Sequence, residues 1–339
     1  MYDDEFELKF DLAEDDADTV KLPGKPLQPA PEAPEKAADA EKAADAELPA
    51  EEPTIVLGAL KQTPAPAVER EPEPEAIAEP ETPEEPPKPE APETAAPAGN
   101  GRCVLISGGD RGIGAAAAQA FYAAGYRVAV LYHQNAEAAA RLEKALPGCT
   151  IVQCDVASRA SCELAFHTVE QALGHVDVLV CNAGIAQQKL FTDITPEEWQ
   201  RMLDVNLSGA FHLCQLALPG MIHRKAGRIL TVSSMWGQTG GSCEVHYSAA
   251  KAGLIGLTKA LAKEEGPSGV TVNCVAPGVI DTDMMAAFTA EDKAALAEET
   301  PVGRLGSAAE VAALLVYLAG ENAGYITGQV FGVNGGLVI

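Results

Sequence analysis

The chain has 339 residues with 49 Asp and Glu against 24 Lys and Arg, a formal net charge of -25. The excess is uneven: residues 1–100 hold 27 acids, 8 bases and 18 of the 24 prolines, which leaves residues 101–339 with 22 acids, 16 bases and all eight cysteines. An acidic chain with no basic stripe argues against nucleic acid as a partner; no apolar run reaches bilayer length and the amino terminus is acidic, so no membrane partner is expected and a cytoplasmic location is predicted.

Residues 1–100 read as an acidic extension, disordered from residue 13 onward. High net charge with Pro, Ala and Glu and few large apolar residues cannot bury enough surface to offset chain entropy. The repeat Glu35-Lys-Ala-Ala-Asp-Ala and Glu41-Lys-Ala-Ala-Asp-Ala is low complexity, and Thr54 to Leu60 is a short apolar island. Phe6, Leu8, Phe10 and Leu12 alternate with charged residues, a strand-like period that suits addition to a sheet edge, here or on a partner, or arises by chance in a disordered terminus. A flexible tail of this length reaches roughly 55 Å, enough to tether an unknown partner without shaping a distant site.

From Arg102 onward short β-branched runs alternate with helical segments. Strands are predicted at about 102–107, 127–132, 149–153, 177–181, 228–232, 270–275 and 329–333, and helices near 112–124, 136–146, 159–173, 197–223, 244–265 and 307–319. This is the pattern of one α/β domain over 101–339: a Rossmann-type, doubly wound parallel sheet of about seven strands with helices on both faces. Val176-Asp-Val-Leu-Val180 is apolar almost throughout, as a strand covered on both faces should be. In such sheets chemistry belongs to the loops beyond the strands' carboxyl ends. The cysteines, at 103, 149, 154, 162, 181, 214, 243 and 274, have neither paired spacing nor the density of a secreted scaffold, so reduced core residues and no metal site are predicted.

The first such loop is Ser107-Gly108-Gly109-Asp110-Arg111-Gly112-Ile113-Gly114. Glycines between a strand and a helix let backbone turn sharply and approach a pyrophosphate, which the helix amino terminus favours; a tight packing turn is the plainer alternative. At the end of the second strand an acid selects NAD over NADP. Leu131-Tyr-His-Gln-Asn135 has no carboxylate, and Arg111, with His133 unless it is an ordinary exposed loop residue, suits a 2′-phosphate. NADP(H) is the preferred cofactor, with NAD(H) left open.

Farther along, Tyr247-Ser-Ala-Ala-Lys251 places a phenol and an ammonium on one helix face, with Ser234 thirteen residues upstream. A free phenol titrates near about 10, and a fall of about three units, near 4 kcal/mol, would let it exchange protons at neutral pH; a neighbouring ammonium supplies part of that. Taken alone, the pair is also an ordinary amphipathic ring beside a solvated lysine.

Gly108-x-x-x-Gly112-x-Gly114, Asp155, Asn182-Ala-Gly184, Asn206, Ser234, Tyr247, Lys251 and Pro277-Gly278 together resemble the short-chain dehydrogenase/reductases, over about residues 101–339. Ser107 departs from the threonine usual in that family but keeps a hydroxyl. The resemblance implies a carbonyl reductase in which Tyr247 gives the proton, Ser234 hydrogen-bonds the same oxygen, Lys251 lowers the tyrosine pKa and holds the nicotinamide ribose, and Asn206 anchors a water feeding Lys251. It further implies that Asp155 and Val156 face adenine, that Asn182, Ala183 and Gly184 let the cofactor lie against backbone, and that Pro277, Gly278, Ile280 and Thr282 flank the nicotinamide. Asp155 as a helix cap and Asn-Ala-Gly as a turn are the plainer readings of those residues alone. A segment corresponding to 283–300 closes over the substrate in the family, and tetramers form through helices corresponding to 197–223 and 244–265.

Pro301-Val-Gly-Arg-Leu-Gly306, Glu310-Val-Ala312, Tyr325-Ile-Thr-Gly-Gln329 and Val333-Asn-Gly-Gly336 look like the 3-oxoacyl-(acyl-carrier-protein) reductase group of fatty-acid synthesis, implying acyl carrier protein as substrate carrier. Ser233-Ser-Met-Trp-Gly237 and Ser242-Cys-Glu-Val245 instead resemble reductases of the 5-aminopentanone modification on elongation factor P, where Trp236 and Glu244 would suit a cationic amine. A non-catalytic nucleotide-sensing scaffold is a third reading; it needs no proton relay, and the complete Asn206, Ser234, Tyr247 and Lys251 set argues against it.

Overall fold

The computed structural model describes residues 100–286 and 288–339. The predicted disordered extension, its repeat, the Phe6–Leu12 alternation and the Thr54–Leu60 island lie outside the described residues.

Strand β1 (Cys103–Ser107) leads through α1 (Gly112–Ala123), β2 (Arg127–Tyr132) and α2 (Ala136–Ala145) to β3 (Thr150–Gln153). Helix α3 (Arg159–Leu173) then returns the chain to β4 (Val178–Cys181), beside β1. After α4 (Pro196–Leu203) and α5 (Gly209–Arg224) come β5 (Gly227–Val232), α6 (Trp236–Thr239), α7 (Val245–Glu265), β6 (Val270–Pro277) and β7 (Ile280–Asp281). The remainder is α8 (Ala290–Glu299), β8 (Gly306–Ser307), α9 (Ala308–Ala319) and β9 (Val330–Val333). The main sheet has seven strands in the order β3-β2-β1-β4-β5-β6-β9, all neighbours parallel. The order reverses between β1 and β4, which opens a crevice at the carboxyl ends of those two strands.

Side-chain alternation sends each strand into two cores at once. Cys103, Leu105, Leu179 and Cys181 pack with Phe166 of α3, Leu213 of α5 and Leu254 of α7. Val104, Ile106, Val178 and Val180 pack on the other face with Phe121 of α1, Leu142 of α2 and Leu315 of α9. With both faces covered, polar alternation disappears from the sequence of the central strands. All eight cysteines are free, seven of them buried and Cys243 half-buried.

Helix starts carry their own signals. Thr195, Thr289 and Ser307 form capping boxes with Glu198, Asp292 and Glu310, so two orphan backbone donors are satisfied at each start. Asn135 and Ser158 cap α2 and α3. Helix α1 differs: Arg111 at its N-cap makes no side-chain capping bond.

Three details depart from the pattern read in the sequence. The single helix expected over 197–223 is α4 and α5 joined by a π-turn at Asp204–Ser208, in which the Gly209 N–H bonds to the Asp204 carbonyl five residues back. The charged, Ala-rich 283–300 segment reads as helical, and it forms a 3-10 turn at Asp283–Met285 followed by α8. The α6 turn and the two-residue β7–β8 ladder are too short to leave a period. Among the described residues no helix is long and apolar enough to cross a membrane, and no three His, Cys, Asp or Glu side chains are grouped to hold a metal ion.

Candidate active site

A cleft of about 940 Å³ opens at the carboxyl ends of the strands. Its floor begins at the β1–α1 turn. Gly108 has φ +62°, and a Cβ there would lie 2.8 Å from the Ala183 Cα, so only glycine lets this turn sit against the β4 loop. Ser107 ties the two loops: its Oγ accepts from the Asn182 and Ala183 backbone N–H groups, 3.1 Å each. Asn182 Nδ2 donates back to the Ser107 and Gly108 carbonyls at 3.1 and 2.9 Å. The hydroxyl that Ser107 keeps thus joins the two loops.

Asp110, Arg111, Gly112 and Ile113 line the cleft, but Gly109 and Gly114 do not. A Cβ on Gly109 would meet Val130 at 2.8 Å, and one on Gly114 would overlap the Gly108 carbonyl and Asn182 Nδ2. Those two glycines pack the turn rather than face a ligand. With no side chain capping α1, its first-turn N–H groups are left for an anion.

At the far end of β2 and β3, His133 and Asp155 both line the cleft, as does Val156. Asp155 Oδ1 accepts from the Ala157 N–H at 3.1 Å, while its Oδ2 lies 3.8 Å from His133 Nε2 and 3.4 Å from Arg201 Nη1. Arg201 comes from α4 and carries no motif that sequence reading recognises; only the fold brings it to Asp155. Pro277, Gly278, Ile280 and Thr282 close the opposite wall, with Met284, Met285, Phe288 and Leu296 beyond them. The 283–300 segment thus lines the cleft, with Phe288 its one aromatic contribution.

The proton-handling residues share the same cleft. Ser234 Oγ accepts the Trp236 N–H at 3.2 Å, which leaves the hydroxyl proton available to donate. Lys251 is buried, and Nζ donates to the Val232 carbonyl at 2.9 Å and lies 5.6 Å from the centre of the Tyr247 ring. Asn206 sits in the π-turn, 1 % exposed, with Nδ2 on the Ile185 and Met202 carbonyls at 3.0 Å each and Oδ1 accepting the Ile185 N–H at 3.3 Å. Asn206 and Lys251 converge on Gly184, where a Cβ would stand 2.7 Å from Asn206 Oδ1 and 3.2 Å from Lys251 Nζ.

Electrostatics differ from the expectation that Lys251 lowers the tyrosine pKa. Burial pushes the Tyr247 phenol up to about 12; the Ser234 hydroxyl pulls the other way and the Glu244 carboxylate adds to the rise. Burial likewise pulls the Lys251 ammonium down to about 8. Desolvation dominates at both groups, an effect that residue spacing on a helix cannot show.

Residues 108–338 match the family described as enoyl-(acyl carrier protein) reductase. The chain is 43% identical over 236 residues to the acetoacetyl-CoA reductase of Shinella zoogloeoides, covering 69% of this chain and 98% of the relative. It is 42% identical over 241 residues to the 3-oxoacyl-(acyl-carrier-protein) reductase of Aquifex aeolicus, covering 70% and 97%, and 38% identical over 237 residues to that of Escherichia coli strain K12, again covering 70% and 97%. The chain belongs to the short-chain dehydrogenase/reductase family.

As a short-chain dehydrogenase/reductase it is an oxidoreductase acting on C=O and CH–OH groups, and that family uses nicotinamide dinucleotides. The cleft fits such a group: the first-turn N–H groups of α1 have no capping side chain, and at Gly112, which lines the cleft, a Cβ would meet nothing nearer than Thr282 at 3.6 Å, so an anion can approach that backbone. Gly184→Ala is expected to displace Asn206 or Lys251 and lower kcat/KM by about 10²-fold with the fold intact, since a shift of about 1 Å in a reacting group costs that much. Kinetics beside circular dichroism measure this; wild-type kinetics in a folded variant would refute it. Besides Arg201, sequence reading missed Gln187 and Gln188, which line the cleft after β4. Being loop residues without periodicity, they give no signal before the fold is known.

Proposed function

We propose that this enzyme is an NADP(H)-dependent carbonyl reductase that converts a 3-oxoacyl thioester, carried on acyl carrier protein, to the 3-hydroxyacyl thioester in cytoplasmic fatty-acid synthesis. The observation that carries this is the convergence of the Tyr247 phenol, the Ser234 hydroxyl and the buried Lys251 ammonium in one cleft with an apolar set of Met235, Met284, Met285, Phe288 and Leu296. The named activities of the relatives, on acetoacetyl-CoA and on 3-oxoacyl-acyl carrier protein, support the same substrate class.

Bound NADPH supplies the hydride. Tyr247 gives its phenolic proton to the ketone oxygen, and Ser234 donates a hydrogen bond to that oxygen as charge develops on it. Lys251 steadies the tyrosinate that results and binds the nicotinamide ribose; Asn206 anchors a water that returns protons to Lys251. Asp110 to Gly112 would hold the pyrophosphate, Asp155 and Val156 would face the adenine, Asn182 to Gly184 would let the cofactor lie against backbone, and Pro277, Gly278, Ile280 and Thr282 would flank the nicotinamide. Preference for NADP(H) rests on Arg111 and His133 in the cleft and on the absence of a carboxylate between Tyr132 and Asn135. A homotetramer joined through α4, α5 and α7 is part of this proposal; Phe211 and Ile222 of α5 are exposed apolar residues.

One observation favours a second substrate, the aminopentanone of elongation factor P. Glu244 lines the cleft, burial raises its carboxyl pKa, and among the described residues its one side-chain hydrogen bond is a long one from Gln188 Nε2 at 3.4 Å. A primary ammonium would satisfy it better. Loss of NADPH absorbance with acetoacetyl-acyl carrier protein, acetoacetyl-CoA and the modified elongation factor, each repeated with NADH, decides between them. Turnover of both thioesters with NADPH favoured is expected; turnover of the elongation factor alone, or none with any ketone, would overturn the proposal.

A further inference from the structure

Behind the substrate side of the cleft runs a chain of hydrogen bonds that the proton-handling residues do not use. Lys189 Nζ donates to both oxygens of Glu198, 2.8 Å each, and Glu198 Oε2 also accepts the Thr195 N–H at 2.9 Å. Gln187 Nε2 donates to Glu198 Oε1 at 2.8 Å, and Gln187 Oε1 faces His246 Nε2 at 3.0 Å. The Lys189 N–H donates to the Cys243 carbonyl at 2.7 Å, so the β4–α4 loop is stitched to the start of α7 by backbone as well.

The polarity of this chain is fixed from one end. Glu198 is a carboxylate held at a pKa of about 2 by Lys189 and its other donors, so it only accepts. Gln187 must therefore turn its NH₂ toward Glu198 and its carbonyl toward His246, and His246 must carry its proton on Nε2. The other ring nitrogen agrees: His246 is 0% exposed and Nδ1 has no partner among the described residues, so a proton there would be a buried donor without an acceptor. His246 immediately precedes Tyr247, while Gln187 lines the same cleft as Tyr247. The ring thus ties Gln187 in the cleft wall to the helix residue that precedes the proton donor. Gln187 Nε2 has two hydrogens and one acceptor among the described residues, which leaves one N–H for a ligand.

We infer that Gln187 is a specificity-determining residue that donates to the second oxygen of the substrate, the thioester carbonyl beside the reacting ketone, and that His246 is a positioning residue locking the Gln187 amide in the orientation this requires. The assignment of the second oxygen rests on the 3-oxoacyl reading above; the lock does not. A substrate with an acceptor two carbons from its ketone is then selected over a simple ketone, because a site built to donate leaves an unpaired buried donor when that oxygen is missing.

The full chain with NADPH and the N-acetylcysteamine thioester of acetoacetate tests both parts. Gln187→Leu is expected to raise KM by about tenfold, the effect of losing one hydrogen bond of ordinary strength, with kcat and NADPH affinity changed by less than about twofold. His246→Leu should raise KM equally, the double variant no more than either single one, and His246→Gln, whose amide restores a donor, should recover most of the loss. An unchanged KM in Gln187→Leu overturns the specificity role, and additive losses overturn the link through His246. Nitrogen-15 spectra of labelled histidine read the lock without catalysis: His246 should be protonated at Nε2 alone and lose that single tautomer in Gln187→Leu. A proton on Nδ1 in the wild type, or no change in the variant, overturns it even if His246→Leu fails to fold. If the wild type reduces no 3-oxoacyl thioester, the proposed function and the second-oxygen role fall together, and the spectra alone judge the lock.

Discussion

Tyr247→Phe is expected to lower kcat for ketone reduction by about 10³-fold, within the range that a positioned general acid supplies, while NADPH binds within about twofold of wild type. The substitution removes one oxygen and keeps the ring. A pKa of about 12 means that the phenol is fully protonated at neutral pH, the state a proton donor needs at the start of reduction. Ser234 remains, and its hydroxyl can donate its proton while its oxygen accepts the Trp236 N–H, so the developing oxyanion keeps one of its two donors and some activity should survive. Single-turnover reduction with cofactor binding followed by fluorescence measures both quantities. Equal rates for wild type and variant would exclude Tyr247 as the acid.

Lys251→Met should abolish turnover and, at pH 7, stabilise the fold by about 2 kcal/mol. The ammonium is buried with the Val232 carbonyl as its hydrogen-bond acceptor among the described residues. A pKa lowered from 10.5 to about 8 corresponds to about 3 kcal/mol of disfavoured charge, against which the lost hydrogen bond returns about 1 kcal/mol. The sign follows from proton counting. Between pH 8 and 10.5 the unfolded chain binds this proton more readily than the folded one, so wild-type stability from Lys251 rises through that window and the cost is complete below it. The advantage of the methionine variant should therefore be largest at pH 7 and reverse near pH 10. Urea denaturation at the two pH values tests it; a less stable variant at pH 7 would show that the ammonium has partners that offset its burial.

Both expectations depend on burial, the quantity least legible in the chain. The parallel sheet was legible because β1 and β4 place alternate side chains in two separate cores and so lose polar alternation altogether. The glycine turn, Ser234, Tyr247 and Lys251 were legible as motifs because their spacing is set by local geometry. Gly109 and Gly114 read like Gly108 and Gly112, yet they pack against Val130 and Asn182; a string of glycines does not say which of them faces outward. Arg201, Gln187 and His246 act through partners 46, 11 and 59 residues away in sequence, a separation at which no local pattern survives. The rise of the Tyr247 pKa was hidden for the same reason: the desolvating walls come from segments far along the chain.

The π-turn between α4 and α5 has a geometric effect beyond seating Asn206. One residue inserted into an α-helix advances everything after it by about 100° around the axis. With that extra residue α4 directs Arg201 toward Asp155, while α5 keeps Leu213, Cys214 and Ala217 against the sheet. In continuous α-helical register Leu213, Cys214 and Ala217 would stand roughly 120 to 160° around the axis from Arg201, and the extra residue resets that angle by about 100°. The inserted residue acts as a phase shifter: it sets the face that α5 turns to the sheet independently of the face that α4 turns to the cleft, without spending a loop on the change.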